Sequence, residues 1–351
     1  MQPTKLPFGM IAALAGLSLA PRAQAAVDPN FYVFLAFGQS NMEGQNKNYA
    51  GQDQVALARF QNLSAVACSG RPLGTWVAAV APIVRCDTKL SPLDYFGRTL
   101  VDSLPASIKV GVVPVAVAGS KIEGFDESTY KAYYSAQASW MTNIVSQYGG
   151  DPYARLLAMA KVAQQSGVIK GILLHQGESN TGDSQWANKV KTIYNNLLKD
   201  LGLEASKVPL LAGEVAPTGV SSGANSMIDA LPKTIPTAYV ISSNGLTIDN
   251  ADGQNVHFDA ASYRTLGKRY GQQMYKLLKP TLAVAPRLAQ PSADADYAVY
   301  DVRGNKVSTF HALDATALDN QWSGLQKRLP QGIYWIRNTQ TASAFKVLAG
   351  R

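Results

Sequence analysis

The sequence predicts an α/β protein: a parallel sheet covered by helices on both faces, followed by a small all-β module. Three observations carry this. Short continuous apolar runs at 31–37, 109–118, 169–175, 208–212 and 238–242 read as strands buried on both faces. Segments with helical apolar spacing lie between them, the alternation that builds parallel sheets. Beyond residue 296 the apolar period drops to two residues around glycine-centred turns.

In chain order, MQPTKLPFGMIAALAGLSLAPRAQA reads as a secretory signal over 1–25. Lys5 supplies the positive start, residues 6–20 the apolar stretch, and Ala23, Gln24 and Ala25 the small-residue cleavage site. The apolar part is short and glycine-interrupted for a membrane span, although an uncleaved anchor is the alternative. The mature protein is therefore expected to be secreted, soluble and without membrane insertion. The first strand, FYVFLAF, breaks into Gly38, Gln39, Ser40 and Asn41. A buried strand that stops at a glycine and exposes a serine is either a turn or the presentation of a nucleophile.

Cys68 and Cys86 are the two cysteines of the chain. In an oxidising compartment a disulfide is the leading reading, pinning the Gly- and Pro-containing loop between them. With no CxxC or Cys/His cluster, no metal site is expected. The second strand ends in AGS at Gly119, and the third in HQGES. Between them YARLLAMAKVAQQSG places Leu156, Leu157, Ala160 and Val162 on one helical face and stops near Gly167. QWANKVKTIYNNLLKDLG does the same with Trp186, Val190, Ile193, Tyr194 and Leu197. The last helix starts within VHFDAASY, with Asp259 as its N-cap. Residues 281–296 are Pro/Ala-rich and read as a linker between a domain at 26–280 and the module at 297–351.

The formal net charge is +8, from Lys and Arg scattered along the chain and not gathered in runs. No nucleic-acid footprint follows from that pattern.

A serine is a weak nucleophile until a positioned base removes its proton, so Ser40 needs a histidine. The chain holds three: His175, His257 and His311. His311 falls in the tail and reads as a surface or packing residue. His257, late in the domain and before the last helix, is placed to reach over the carboxyl edge of the sheet, where open α/β sheets bind ligands. It is the expected base, a semi-buried structural histidine being the alternative. The imidazolium needs a carboxylate, and the candidates are Glu178 in HQGES and Asp252 before the histidine. Glu178 as a purely structural strand-end acid is the competing reading. The tetrahedral intermediate needs oxyanion donors. The Ser40 N–H, the Gly119 N–H and the Gln176 side-chain amide are the candidates, with Gly119 as a plain turn glycine the alternative. Gln39 and Asn41, beside the serine, are expected to contact substrate.

Together the GQSNMEG block, the AGS strand end, the HQGESN block and the late VHF histidine resemble the SGNH/GDSL-type esterases. The resemblance is narrower to the sialate O-acetylesterase-like and carbohydrate esterase family six group, which includes acetyl xylan esterases. It implies a three-layer α/β/α, flavodoxin-like fold and removal of acetyl groups from polysaccharide without metal or other cofactor. By motif it implies Ser40 as nucleophile and His257 as base. Ser40, Gly119 and Gln176 would be the oxyanion donors, with Glu178 assisting the histidine. Relatives commonly place an Asp three residues before the histidine, and here Gln254 stands there. Either Asp252 serves through a longer loop or Glu178 carries the role, with Glu178 favoured. The tail, VYDVRGNKV followed by LPQGIYWIR, resembles the C-terminal sorting modules of the type IX secretion pathway; a carbohydrate-binding or packing module competes.

The combined expectation is a secreted serine esterase acting on plant cell-wall polysaccharide, acetylated xylan first. Its partners would be that polysaccharide and, through the tail, the secretion machinery. Two rivals are the same chemistry on another acylated sugar, such as sialate or pectin, and a non-catalytic glycan-binding protein on the same scaffold.

Overall fold

The computed structural model describes residues 26–45, 50–249, 253, 255–283, 294–313, 315–340 and 344–349. The expected signal and most of the expected linker lie outside them. Two compact units divide the chain after Tyr275.

The first unit is built on seven strands: β1 (Phe31–Gly38), β2 (Phe60–Leu63), β3 (Trp76–Ala78), β4 (Lys109–Ala116), β5 (Val168–His175), β6 (Leu210–Gly213) and β7 (Ala238–Ile241). Their order in the sheet is β3-β2-β4-β1-β5-β6-β7. Only β3 runs antiparallel, against β2. The five runs read from the sequence are all strands. Missing from that reading were β2, which carries Gln61 and Asn62, and β3, which spans three residues.

Because both faces are covered, β1 is buried along its whole length. On one face Val33, Leu35, Phe37 and Ile172 pack with Leu156, Val190 and Ile193 from the helices Pro152–Gln164 and Trp186–Leu201. On the other, Phe34 meets Phe96 of the helix Pro92–Ser103 edge to face, ring centroids 5.0 Å apart. On that side Gly171 leaves no room for a side chain beneath Met274 of the helix Ala260–Ala283. This is the three-layer arrangement. Each buried aliphatic or aromatic side chain contributes about 1.5–3 kcal/mol.

Local signals fix the helix starts. Ser91 accepts from Leu93 N while Asp94 reaches back to Ser91 N, closing a capping box. Asp151 caps the helix that begins at Pro152, and Asp259 accepts from Ser262 N at 2.7 Å, as expected of an N-cap. Cys68 and Cys86 form the disulfide, their Cα atoms 5.6 Å apart. Among the described residues no helix is long and apolar enough to cross a membrane.

The topology also locates the site. From β1 the chain runs to β2 and β4 on one side of the sheet, then crosses to β5, β6 and β7 on the other. The ends of the three central strands are level, Gly38 pairing with Ala116 and with His175. Ser40, Gly119 and the HQGES segment therefore leave the sheet together at the switch point, where such sheets open a crevice.

The second unit holds an antiparallel sheet of β8 (Ala295–Asp301), β9 (Lys306–Ala312), β10 (Gly332–Asn338) and β11 (Ala344–Ala349) in the order β11-β10-β8-β9. Asp301 closes the β8–β9 turn by accepting from Arg303 N and Asn305 N, each at 2.9 Å. The module also contains a helix, Ala315–Leu325, which the two-residue reading did not anticipate. Leu318 of that helix joins Tyr297, Val299, Tyr334 and Ile336 in a core of its own. His311 lies at the surface between Asp294 and Asp296, 2.8 and 2.9 Å away, and their carboxylates hold its pKa above the ordinary value.

Candidate active site

The exit of β1 is shaped by Gly38, whose φ is +154°. A Cβ there would stand 2.1 Å from the His175 carbonyl oxygen, so β1 turns tightly against β5 and only glycine fits. Gln39 N then donates to that same oxygen at 3.0 Å. Ser40 opens a one-turn helix, Ser40–Glu43, and is 5% exposed. Glu43 anchors this turn from the interior. It pairs with the buried Arg85 at 2.8 Å and accepts from Ala118 N at 3.3 Å, tying the serine turn to the β4 exit. Burial pushes the Glu43 pKa up, and Arg85 pulls back against it.

Asn41, fully buried, connects the serine to the histidine loop. Its Nδ2 donates to Glu178 Oε1 at 2.6 Å and to Val256 O at 3.0 Å. Its Oδ1 accepts from Tyr263 Oη at 2.7 Å and from Phe258 N at 3.3 Å. The residue after Ser40 is thus bonded to the backbone on both sides of His257, which is 6% exposed. The loop is held from the other direction as well: Asp249 N donates to His257 O, and Ile248 bridges to Phe258. Asp252 and Gln254 lie outside the described residues.

Asn41, expected to contact substrate, is placed by these bonds against the histidine loop. Both its amide hydrogens and its oxygen are engaged inside the protein. Gln176, expected as an oxyanion donor, is also bonded within the protein. Its Nε2 faces Asn180 Oδ1 at 2.7 Å, Gln39 Oε1 at 3.0 Å and Ser120 O at 3.3 Å, while its Oε1 accepts from Trp186 Nε1. Its two amide hydrogens thus face three protein acceptors. Gln39 offers Oε1 to Gln176 and to Ser179 N, so at least that atom is structural.

Glu178 begins the short turn Glu178–Asn180. Its contacts are Asn41 and, at 3.7 Å, His175 Nε2. Among the described residues no hydrogen bond or ion pair joins it to His257, so its link to that histidine runs through Asn41. His175 is fully buried; desolvation drives its pKa down, with Glu178 pulling the other way. Its Nε2 and Glu178 Oε2 are buried without a hydrogen-bond partner among the described residues.

Gly119 has φ +70° and turns the chain away from β4. Ser179 Oγ donates to its carbonyl at 2.9 Å, which fixes the peptide. Among the described residues neither the Ser40 N–H nor the Gly119 N–H donates to a protein acceptor. Those two remain the oxyanion candidates. Gly119 also lines a cleft of about 600 Å³ whose walls include Lys121, Glu123, Tyr133, Gln137 and Ser179.

Sequence reasoning missed Asn180 and the cluster it organises. Asn180 Nδ2 donates to Glu123 and Asp183, whose carboxylates also share Lys189 at 2.7 and 2.6 Å. The signal was the last letter of HQGESN. Glu43, inside GQSNMEG, was likewise in view without a role, because its partner Arg85 lies on a distant loop.

The profile of a family described as carbohydrate esterase, sialic acid-specific acetylesterase matches residues 30–276. Among solved structures, a protein of Arabidopsis thaliana superposes with TM-score 0.56 at 19% identity, covering 71% of this chain and 99% of that one. The structure of NanS superposes with TM-score 0.52 at 14% identity, covering 72% and 99%. At these identities the two share the fold of the first unit.

Proposed function

The chain belongs to the carbohydrate esterase family of sialic acid-specific acetylesterases, and from that premise we propose that it is a secreted serine esterase removing O-acetyl groups from plant cell-wall polysaccharide, acetylated xylan first. Ser40 Oγ attacks the acetyl carbonyl while His257 takes its proton. The oxyanion forms against the N–H groups of Ser40 and Gly119. His257 returns the proton to the departing sugar oxygen, leaving an acetyl-enzyme. A water deprotonated by His257 then releases acetate and frees Ser40. The chemistry calls on no cofactor.

One observation carries this reading: Asn41 binds the backbone on each side of His257, bringing the histidine loop to the serine turn. Export by the leader at 1–25, and contact with secretion machinery through the second unit, belong to the same proposal. The description of the family itself favours a second substrate, O-acetylated sialic acid, by the same steps. Acetate release from acetylated xylan and from an O-acetylated sialoside, each with Ser40→Ala as control, tests both. Ser40→Ala is expected to lower kcat by roughly 10³-fold or more. Wild type as inert as Ser40→Ala on every ester would leave a glycan-binding protein.

A further inference from the structure

The helix Ser139–Gln147 turns Met141 and Val145 into the core but leaves Trp140 53% exposed, more than any other tryptophan among the described residues. Its position is specific. Trp140 Cη2 lies 2.7 Å from where a Cβ of Gly119 would stand, so the ring edge rests on the Gly119 backbone itself. Gly119 also lines the cleft, together with the polar groups of Lys121, Glu123, Gln137 and Ser179. An exposed aromatic side chain on the Gly119 peptide, next to a cleft with polar walls, suits a pyranose. The C–H face of the sugar covers the ring and its hydroxyls reach the polar wall.

We propose that Trp140 is the stacking platform for a pyranose ring of the acetylated substrate, with the Gly119–Gln137 cleft receiving the sugar's hydroxyl edge. Gly119 is common to both surfaces. An acetyl group at its N–H therefore leaves the sugar it esterifies next to the indole. This rests on the esterase reading and adds the subsite that would select a sugar ester over a small one.

The test compares wild type, Trp140→Ala and Trp140→Phe on an acetylated xylo-oligosaccharide and on vinyl acetate, which has no ring. Trp140→Ala is expected to raise KM for the oligosaccharide about tenfold, with kcat changed less than about twofold. Trp140→Phe should recover most of the loss, and vinyl acetate turnover should change less than about threefold. An unchanged oligosaccharide KM, or an equal loss on vinyl acetate, overturns the platform. Calorimetric titration of the oligosaccharide into Ser40→Ala, with and without Trp140→Ala, separates this from the esterase reading. If wild type releases no acetate from any ester, that reading falls. Binding weakened about tenfold by Trp140→Ala would still sustain the platform. Binding indifferent to Trp140, or no binding at all, would overturn it.

Discussion

Asn41 performs no chemistry, yet four polar groups of the interior depend on its amide. Truncation to alanine would strand the Glu178 carboxylate, the Tyr263 hydroxyl and two backbone groups. Each buried unsatisfied group costs about 1–3 kcal/mol before relaxation. Asn41→Ala is therefore expected to lower unfolding free energy by about 2–4 kcal/mol in a urea titration and to reduce kcat more than it raises KM. Glu178→Gln is milder, since a glutamine oxygen can still accept from Asn41. It should keep kcat within about tenfold of wild type, while Asp252→Asn falls further if Asp252 assists His257. A collapse confined to Glu178→Gln would identify Glu178 as the triad acid, as the sequence favours. The sequence made Ser40 and His257 legible because a nucleophile and its base have few chemical substitutes. It did not reveal that Asn41 and Gln176 face inward, since an amide reads alike whether it meets substrate or backbone.

At the scale of elements, Asp53 gathers three of them. Sitting in the turn Gly51–Gln54, it receives two bonds from Arg264 of the helix Ala260–Ala283, at 2.6 and 2.9 Å, and one from Tyr95 of the helix Pro92–Ser103. Burial alone would raise its pKa, but the bonds from Arg264, Ala50 N and Tyr95 outweigh it and hold the carboxyl below the usual value. A depressed folded pKa means stability that is fully present above the unfolded value, near 3.9, and is lost as pH falls through the folded value. Asp53→Asn should thus destabilise the protein at neutral pH and flatten the loss of stability below about pH 4. Chemical denaturation at pH 7 and pH 3 reads both effects. An equal acid-side slope in the two proteins would show the carboxylate is not the linked group. Gly38 is the other element-scale constraint. Gly38→Ala drives a methyl into the His175 carbonyl and should separate β1 from β5, costing activity along with stability.

For the whole molecule, every residue assigned to catalysis or to the cleft belongs to the unit that ends at Tyr275. A chain spanning 26–283 is expected to keep kcat/KM on a small acetate ester within about threefold of the full protein. A larger loss would give the second unit a part in the reaction. The disulfide closes a loop with a sequence separation of 18, worth about 3 kcal/mol if it acts mainly on the unfolded chain. Reduction should lower Tm by several degrees, as calorimetry with and without a thiol reductant can measure.

By itself the sequence determined the parallel sheet, five of its seven strands, the serine at a strand end and the late histidine. These follow from apolar periodicity, from glycine punctuation and from the narrow choice of groups able to activate a hydroxyl. Only the tertiary structure decided which polar side chains bond to one another inside the fold. The hydrogen-bond partners of Asn41, Gln176 and Glu178 are not encoded by chain position: a hydrogen bond acts over about 3 Å, while these partners come from strands and loops far apart along the chain.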